Sequence, residues 1–329
     1  VAELTVRVRT PARLHLGLID LHGGLGRAFG SIGVAIDRPA TVISVVRNEE
    51  VEISGPYAPW VRELVARFLK AYRVGGGCRV LVEEAIPRHV GLGSGTQMSL
   101  AVGVALTKLH NLDLSIESLA LTMGRGTVSS VGVGAFRWGG FICDGGHRVD
   151  HRGVVKAERG VLPPILFHHP LPEEWRFVVA VPKEGQGLSG PQEKQAFEAL
   201  PKPPERLVER MARLILVRML PGLVEGDIEA FGEALTEVQR LTGEVFKPLQ
   251  GGTYRSRLVE EGVNLMLRSG AYGAGQSSWG PTFYGLTVGD RASRSLEEEV
   301  AAFLEERGGG PVYTAQPCNK GAVVSISGG

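Results

Sequence analysis

Apolar positions recur along this chain with two periods, and the switch between them marks out alternating strands and helices. Alternation over Leu4–Arg9, Ala40–Val46 and Cys78–Glu83 predicts strands, while three- and four-residue spacing over Pro59–Tyr72, Thr96–His110 and Ile116–Met123 predicts helices. Pro163, Pro164, Pro170 and Pro172 then interrupt the pattern. Beyond them Trp175–Val181 reads as a buried strand, Pro204–Leu223, Asp227–Arg240 and Thr253–Ser269 as helices, and Thr282–Val288 as a strand. Leu296–Glu306 reads as a helix, and Pro311–Ala315 and Ala322–Ile326 as closing strands. Mixed elements on both sides of the proline break predict an α+β chain of two domains, 1–165 and 166–329. Lys183–Pro204, rich in Gly, Gln, Glu and Pro, reads as a mobile surface loop.

The most informative junction runs from Pro87 to Gln97. The strand before it stops at a residue that cannot donate to a sheet, and Met98, Ala101, Ala105 and Leu109 then begin a largely buried helix. Between them Gly91, Gly93, Ser94, Gly95, Thr96 and Gln97 form a glycine turn onto a helix start. The free N–H groups there and the positive end of the helix dipole favour an anion by about 0.3 to 1 kcal/mol, and glycines let it approach the backbone. This predicts a cradle for a phosphorylated ligand; the plain alternative is a tight turn that binds nothing. The spacing lacks the Lys of a P-loop and the third glycine of a dinucleotide fold.

Three further clusters surround this one in sequence. Arg13, His15 and Asp20 interrupt a near-continuous apolar segment, where charge is costly unless it is paired or faces a polar cavity. Arg27, flanked by glycines, suits a bidentate clamp on a carboxylate or phosphate. Gly124–Gly134, which includes Arg125, leads towards Trp138 and Asp144, and reads as a glycine loop before an apolar hairpin with Asp144 at its turn. Gly270–Thr282 is another glycine turn before a strand; its Gln276, Ser277 and Ser278 are neutral donors, and Trp279 either stacks on a ring or plugs the core.

Composition narrows the class. The chain has 329 residues, 43% hydrophobic and 22% charged, with a formal charge of +1, so no global field attracts nucleic acid or a membrane. Cys78, Cys143 and Cys318 lack the spacing of a disulfide framework or zinc site, and no signal-like or membrane-spanning apolar run is present. A cytoplasmic protein acting on small molecules is expected.

The Pro-Ala-Arg segment at Pro11–Arg13, the Pro87–Gly95 loop and the late Gly273–Gly275 turn together resemble the GHMP kinase superfamily. Within it, Arg13–Asp20, Gly26-Arg27, Ser129–Gly134 with Phe136, Gly139–Gly146 and Gly275–Thr282 look like the beta-ribofuranosylaminobenzene 5′-phosphate synthase family. Ser130 stands where that family's glycine is expected, and Leu16 follows His15 in place of a frequent Phe. The resemblance implies a ribosomal protein S5 domain 2-like first domain, a ferredoxin-like second domain and a homodimer. It further implies a pentosyltransferase of methanopterin biosynthesis, joining phosphoribosyl pyrophosphate to 4-aminobenzoate or 4-hydroxybenzoate with loss of carbon dioxide and pyrophosphate. Mg2+ would accompany the pyrophosphate, with Asp20 and Asp144 as candidate ligands. On this reading Asp20 stabilises the ribosyl cation and Arg27 orients a carboxylate or phosphate. Arg13 and His15 contact phosphate or move protons, and Gln276 to Trp279 line the ring pocket. A kinase of the same superfamily, with ATP on the same loop, is the alternative.

Overall fold

The computed structural model describes residues 4–150, 160–185, 187, 195–196 and 199–328, so much of the expected mobile loop lies outside the described residues. Strands β1 (Thr5–Asp20) and β2 (Arg27–Asn48) form an antiparallel ribbon, the spine of an eight-stranded sheet. Both run far beyond the alternating stretches that predicted them. The pairing shifts register between Thr10 and Ala12 and again between His15 and Gly17, and such irregularities erase the period of two while keeping the strand. Across the first shift the inward positions change partners: Val6 and Val8 enter one core, Leu14 and Leu16 another.

Strands β3 (Glu52–Ser54) and β4 (Gly77–Glu84) extend the sheet beyond β2, and β12 (Val323–Ser327) pairs with β1 on the other side. β5 (Phe141–Asp144) and β6 (His147–Arg148) pair with the first half of β2, and β7 (Ile165–His169) adds to β5. The prolines around β7 lie outside the strand, where no ladder donor is needed, so the proline break contains an unforeseen strand.

Helices α1 (Ala58–Tyr72), α2 (Ser94–Leu109) and α3 (Ile116–Thr122) match the predicted spans closely and pack over this sheet. The third glycine cluster departs from expectation: Val131–Arg137 is a helix, α4, before β5. Its glycines serve packing, since a Cβ at Gly134 would sit 2.9 Å from the Ile142 side chain. Under these helices Val6, Val8, Val80, Phe68, Leu100 and Val104 form one core, each large side chain contributing about 1.5 to 3 kcal/mol through burial.

The second sheet is antiparallel, in the order β11 (Val312–Ala315), β8 (Trp175–Ala180), β10 (Phe283–Val288), β9 (Gly273–Gln276). The expected long helix is divided into α5 (Glu205–Leu214), a π-helical turn (Ile215–Met219) and α6 (Leu220–Glu225). Next, α7 (Ile228–Gln250) continues well past Arg240 and touches both β1 and β9. α8 (Arg257–Arg268) and α9 (Gly289–Glu305) pack on the second sheet around Val178, Phe283 and Leu296. Leu14, Ile32, Phe177, Tyr284, Phe231 and Leu235 belong to a single core, so the two sheets and α7 enclose one apolar layer. Among the described residues no helix is long and apolar enough to cross a membrane.

Candidate functional site

The Pro87–Gln97 segment is held from two sides. Arg13 on β1 donates from Nη1 to the Gly91 carbonyl at 2.6 Å, and Ser277 Oγ, beyond β9, donates to the same oxygen at 2.6 Å. The backbone N–H of Arg13 donates to Leu92 O, and that of Thr282 to Val90 O. Gly93 caps α2 with φ of 77°, a left-handed conformation, and no side chain caps the helix. The uncapped start of α2 therefore lines the same cleft as Arg13 and Arg125, an arrangement that suits an anion.

A cleft of about 690 Å³ opens there. Arg13, Arg67, Arg88 and Arg125 line it together with the start of α2. The Arg88 guanidinium lies 4.4 Å from the Trp60 ring centre, and Arg67 Nη1 donates to Met123 O at 3.0 Å, so both are oriented. Arg125 rests on Gly95, where any side chain would run into its guanidinium. Leu18, Thr242, Phe246, Tyr254, Gln276 and Trp279 also line the cleft, and Arg255 donates from Nη1 to the Trp279 carbonyl at 3.4 Å. Phe246 and Trp279 meet edge to face with centroids 4.6 Å apart. Among the described residues no Asp or Glu lines the cleft.

The predicted residues divide between this cleft and its supports. Arg13 and His15 line it from β1, Gly91, Gly93, Ser94, Gly95 and Thr96 from the cradle, and Gln276, Ser278 and Trp279 from the turn after β9. Gln97 is buried behind the cradle, donating from Nε2 to Gly132 O at 2.9 Å. Ser277 is buried too; besides its bond to Gly91 it accepts from the His15 N–H at 2.9 Å. Asp20 sits outside the lining, its Oδ1 accepting from the N–H groups of His22 and Gly23 at 2.6 and 2.8 Å. Arg27 is likewise outside, with Nε donating to Gly145 O and Nη2 to Gly146 O, both at 2.8 Å.

Electrostatics follow from these positions. Burial, then the charge of Arg13, pushes the His15 imidazole down to about 3, so it is neutral at physiological pH. Asp144 is buried, and burial pushes its carboxyl up to about 6 although four hydrogen-bond donors oppose the shift. Oδ1 accepts from the N–H groups of Ser31 and Gly146, and Oδ2 from Ser129 Oγ and the Ser130 N–H. Both oxygens of Asp144 are thereby engaged within the protein. No group of three or more His, Cys, Asp or Glu side chains suited to a metal ion occurs among the described residues. The cleft thus does not fit a magnesium ion held by protein carboxylates.

Sequence reasoning missed Arg67, Arg88, Arg125, Gln239 and Phe246. Arg125 carried a readable signal, because it is flanked by Gly124 and Gly126 as Arg27 is flanked by Gly26. Arg67 and Phe246 carried none, since each sits at ordinary helical spacing and reaches the cleft only through packing. Gln239 joins the halves: its Nε2 donates to Leu16 O, and its Oε1 accepts from the Gln276 N–H at 2.9 Å.

Residues 60–140 match the GHMP kinases N terminal domain, and residues 219–309 the GHMP kinases C terminal domain. The lactococcal galactokinase complexed with galactose superposes with a TM-score of 0.68 at 16% identity, covering 97% of this chain and 95% of that one, so the fold is shared. The beta-ribofuranosylphenol 5′-phosphate synthase of Methanothermobacter thermautotrophicus is 33% identical over 96% of this chain and 97% of its own length. Its namesake from Archaeoglobus fulgidus is 35% identical, covering 92% and 94%. The chain belongs to the GHMP kinase superfamily and, within it, to the beta-ribofuranosylphenol 5′-phosphate synthase family.

Proposed function

We propose that the chain is a pentosyltransferase joining phosphoribosyl pyrophosphate to 4-hydroxybenzoate, with release of carbon dioxide and pyrophosphate. The observation that carries the reading is the lining of one cleft by four arginines and an uncapped helix start together with the aromatic side chains of Phe246 and Trp279. A donor rich in phosphate supplies the charge that the arginines oppose, and a flat ring suits those aromatic side chains. The relatives are named for a ribofuranosylphenol product, which favours the hydroxy over the amino acid.

In this reaction the ring carbon bearing the carboxylate attacks ribose C1, and the C1–oxygen bond breaks with its electron pair leaving on pyrophosphate. The ring–carboxylate bond then breaks, its pair restores aromaticity, and carbon dioxide departs. Arg13, Arg88 and Arg125 stabilise the leaving pyrophosphate. Leu18, Phe246 and Trp279 seat the ring. Magnesium, if required, would come with the pyrophosphate substrate and supply charge neutralisation there, since among the described residues no carboxylate lines the cleft to hold it. We extend the reading to methanopterin biosynthesis and a homodimer, as the family resemblance implies, and to a cytoplasmic location, as the spacing of Cys78, Cys143 and Cys318 suggests.

Phosphoribosyl pyrophosphate, magnesium and either acid are mixed with the purified protein, and ATP with magnesium in parallel. The reading predicts pyrophosphate and a ribosylated phenol from 4-hydroxybenzoate. ATP-dependent phosphorylation with no consumption of phosphoribosyl pyrophosphate would reject it in favour of a kinase. The resemblance alone would place Asp20 at the ribosyl cation, whereas its carboxylate lies outside the cleft lining and accepts from the N–H groups of His22 and Gly23. Asp20→Asn, which preserves the Oδ1 acceptor of its turn, decides between the two: lost turnover in a folded protein puts Asp20 in the mechanism, and near-normal turnover removes it.

A further inference from the structure

Arg27 and Asp144 lie outside the cleft lining, yet a continuous run of hydrogen bonds connects them to it. The Arg27 guanidinium holds the carbonyls of Gly145 and Gly146, both at 2.8 Å, and so fixes the turn that follows Asp144. Within that turn the Gly146 N–H donates to Asp144 Oδ1 at 3.0 Å. On the other side Asp144 Oδ2 accepts from Ser129 Oγ at 3.1 Å and from the Ser130 N–H at 2.8 Å. Ser129 ends the Gly124–Ser129 loop, which lines the cleft and carries Arg125. The other end of that loop is pinned where the Arg125 N–H donates to Ala120 O at 2.7 Å. Arg125 itself lies over Gly95 at the head of α2.

We propose that Arg27 and Asp144 are positioning residues for Arg125: together they fix the Gly124–Ser129 loop so that the Arg125 guanidinium stays over the cradle, where it binds the pyrophosphate group of a substrate. Arg27 is solvent-exposed and its fork is occupied by two backbone carbonyls, so its effect on the reaction travels through Asp144 rather than through a contact with substrate. Ser129 Oγ donates to Asp144 and accepts from the Val131 N–H at 3.2 Å, which makes it a link in the support. This inference rests on the cleft being the anion site of the proposed transfer, and it holds for any substrate that presents a pyrophosphate there.

The test is a double-mutant cycle on the binding of inorganic pyrophosphate, read by calorimetry on Arg27→Gln, Arg125→Gln, Ser129→Ala and the Arg27→Gln/Arg125→Gln double variant. Arg27→Gln and Ser129→Ala are each expected to weaken pyrophosphate about fivefold to tenfold, and Arg125→Gln by at least as much, the scale of a lost charge-assisted contact. The double variant is expected to bind no more weakly than Arg125→Gln alone, because both changes remove one interaction. Affinity for 4-hydroxybenzoate should stay unchanged in all of them, which a general loosening of the fold would not spare. Multiplied effects in the double variant would overturn the proposal by showing that Arg27 meets the anion itself. An unchanged affinity in Arg27→Gln, or equal losses for both ligands, would overturn it as well. Failure of the wild-type protein to turn over phosphoribosyl pyrophosphate would sink the functional reading while leaving the pyrophosphate cycle readable.

Discussion

His15 shows what a single position does at the meeting point of the two halves. Its N–H is taken by Ser277 Oγ, and its imidazole, pushed down to about 3, stays uncharged beside Arg13. It lines the cleft as an uncharged imidazole and adds nothing to the arginine field. The same shift sets a pH dependence. Between about 3 and the ordinary value of 6.5 the unfolded chain binds a proton at this histidine that the folded chain does not. Stability is therefore lost as pH falls below 6.5, and the His15 contribution to that loss is complete near 3. His15→Asn should flatten this part of the curve, measured as urea midpoints at pH 7, 5 and 4. Parallel curves for the two proteins would show that the imidazole is not held neutral.

At the scale of elements, the cradle depends on one backbone geometry. Gly93 adopts φ of 77°, and a Cβ there would lie 2.8 Å from Arg13 Cγ. Gly93→Ala is expected to cost about 1 to 2 kcal/mol from the left-handed conformation alone, and to weaken pyrophosphate binding by displacing Arg13. Denaturant unfolding and calorimetry measure the two effects; unchanged values in both would contradict the account of the cradle. This junction was legible in the sequence because a strand period, a proline, glycines and a helical period follow one another without interruption. β4 and α2 sit within a few residues of their predicted spans for that reason. The β1–β2 ribbon was legible only in part, since two register shifts hide the alternation. α4 was concealed by glycines that serve contact with β5 and α2 but look like turn residues in isolation. Asp20 and Arg27 stood out as charges in an apolar or glycine-rich setting, and that signal cannot separate a group facing substrate from one bonded to nearby backbone.

The whole molecule builds its site by bringing the turn after β9 onto the cradle between β4 and α2. Ser277 is the link, accepting from His15 on β1 and donating to Gly91. Ser277→Ala leaves a backbone donor and a backbone acceptor without that partner, and is expected to cost about 1 to 3 kcal/mol while raising KM for phosphoribosyl pyrophosphate. A variant with unchanged stability and KM would mean that the halves do not depend on this contact. The fold is common to kinases, so the chemistry is set by what the cleft presents, which is arginines beside a helix start together with Phe246 and Trp279. The most direct measurement follows the carboxyl carbon of 4-hydroxybenzoate, labelled, in the presence of phosphoribosyl pyrophosphate and magnesium. The account predicts one labelled carbon dioxide released for each pyrophosphate formed, and none when phosphoribosyl pyrophosphate is replaced by ATP. Retention of the label in a ribosylated or phosphorylated product would contradict it.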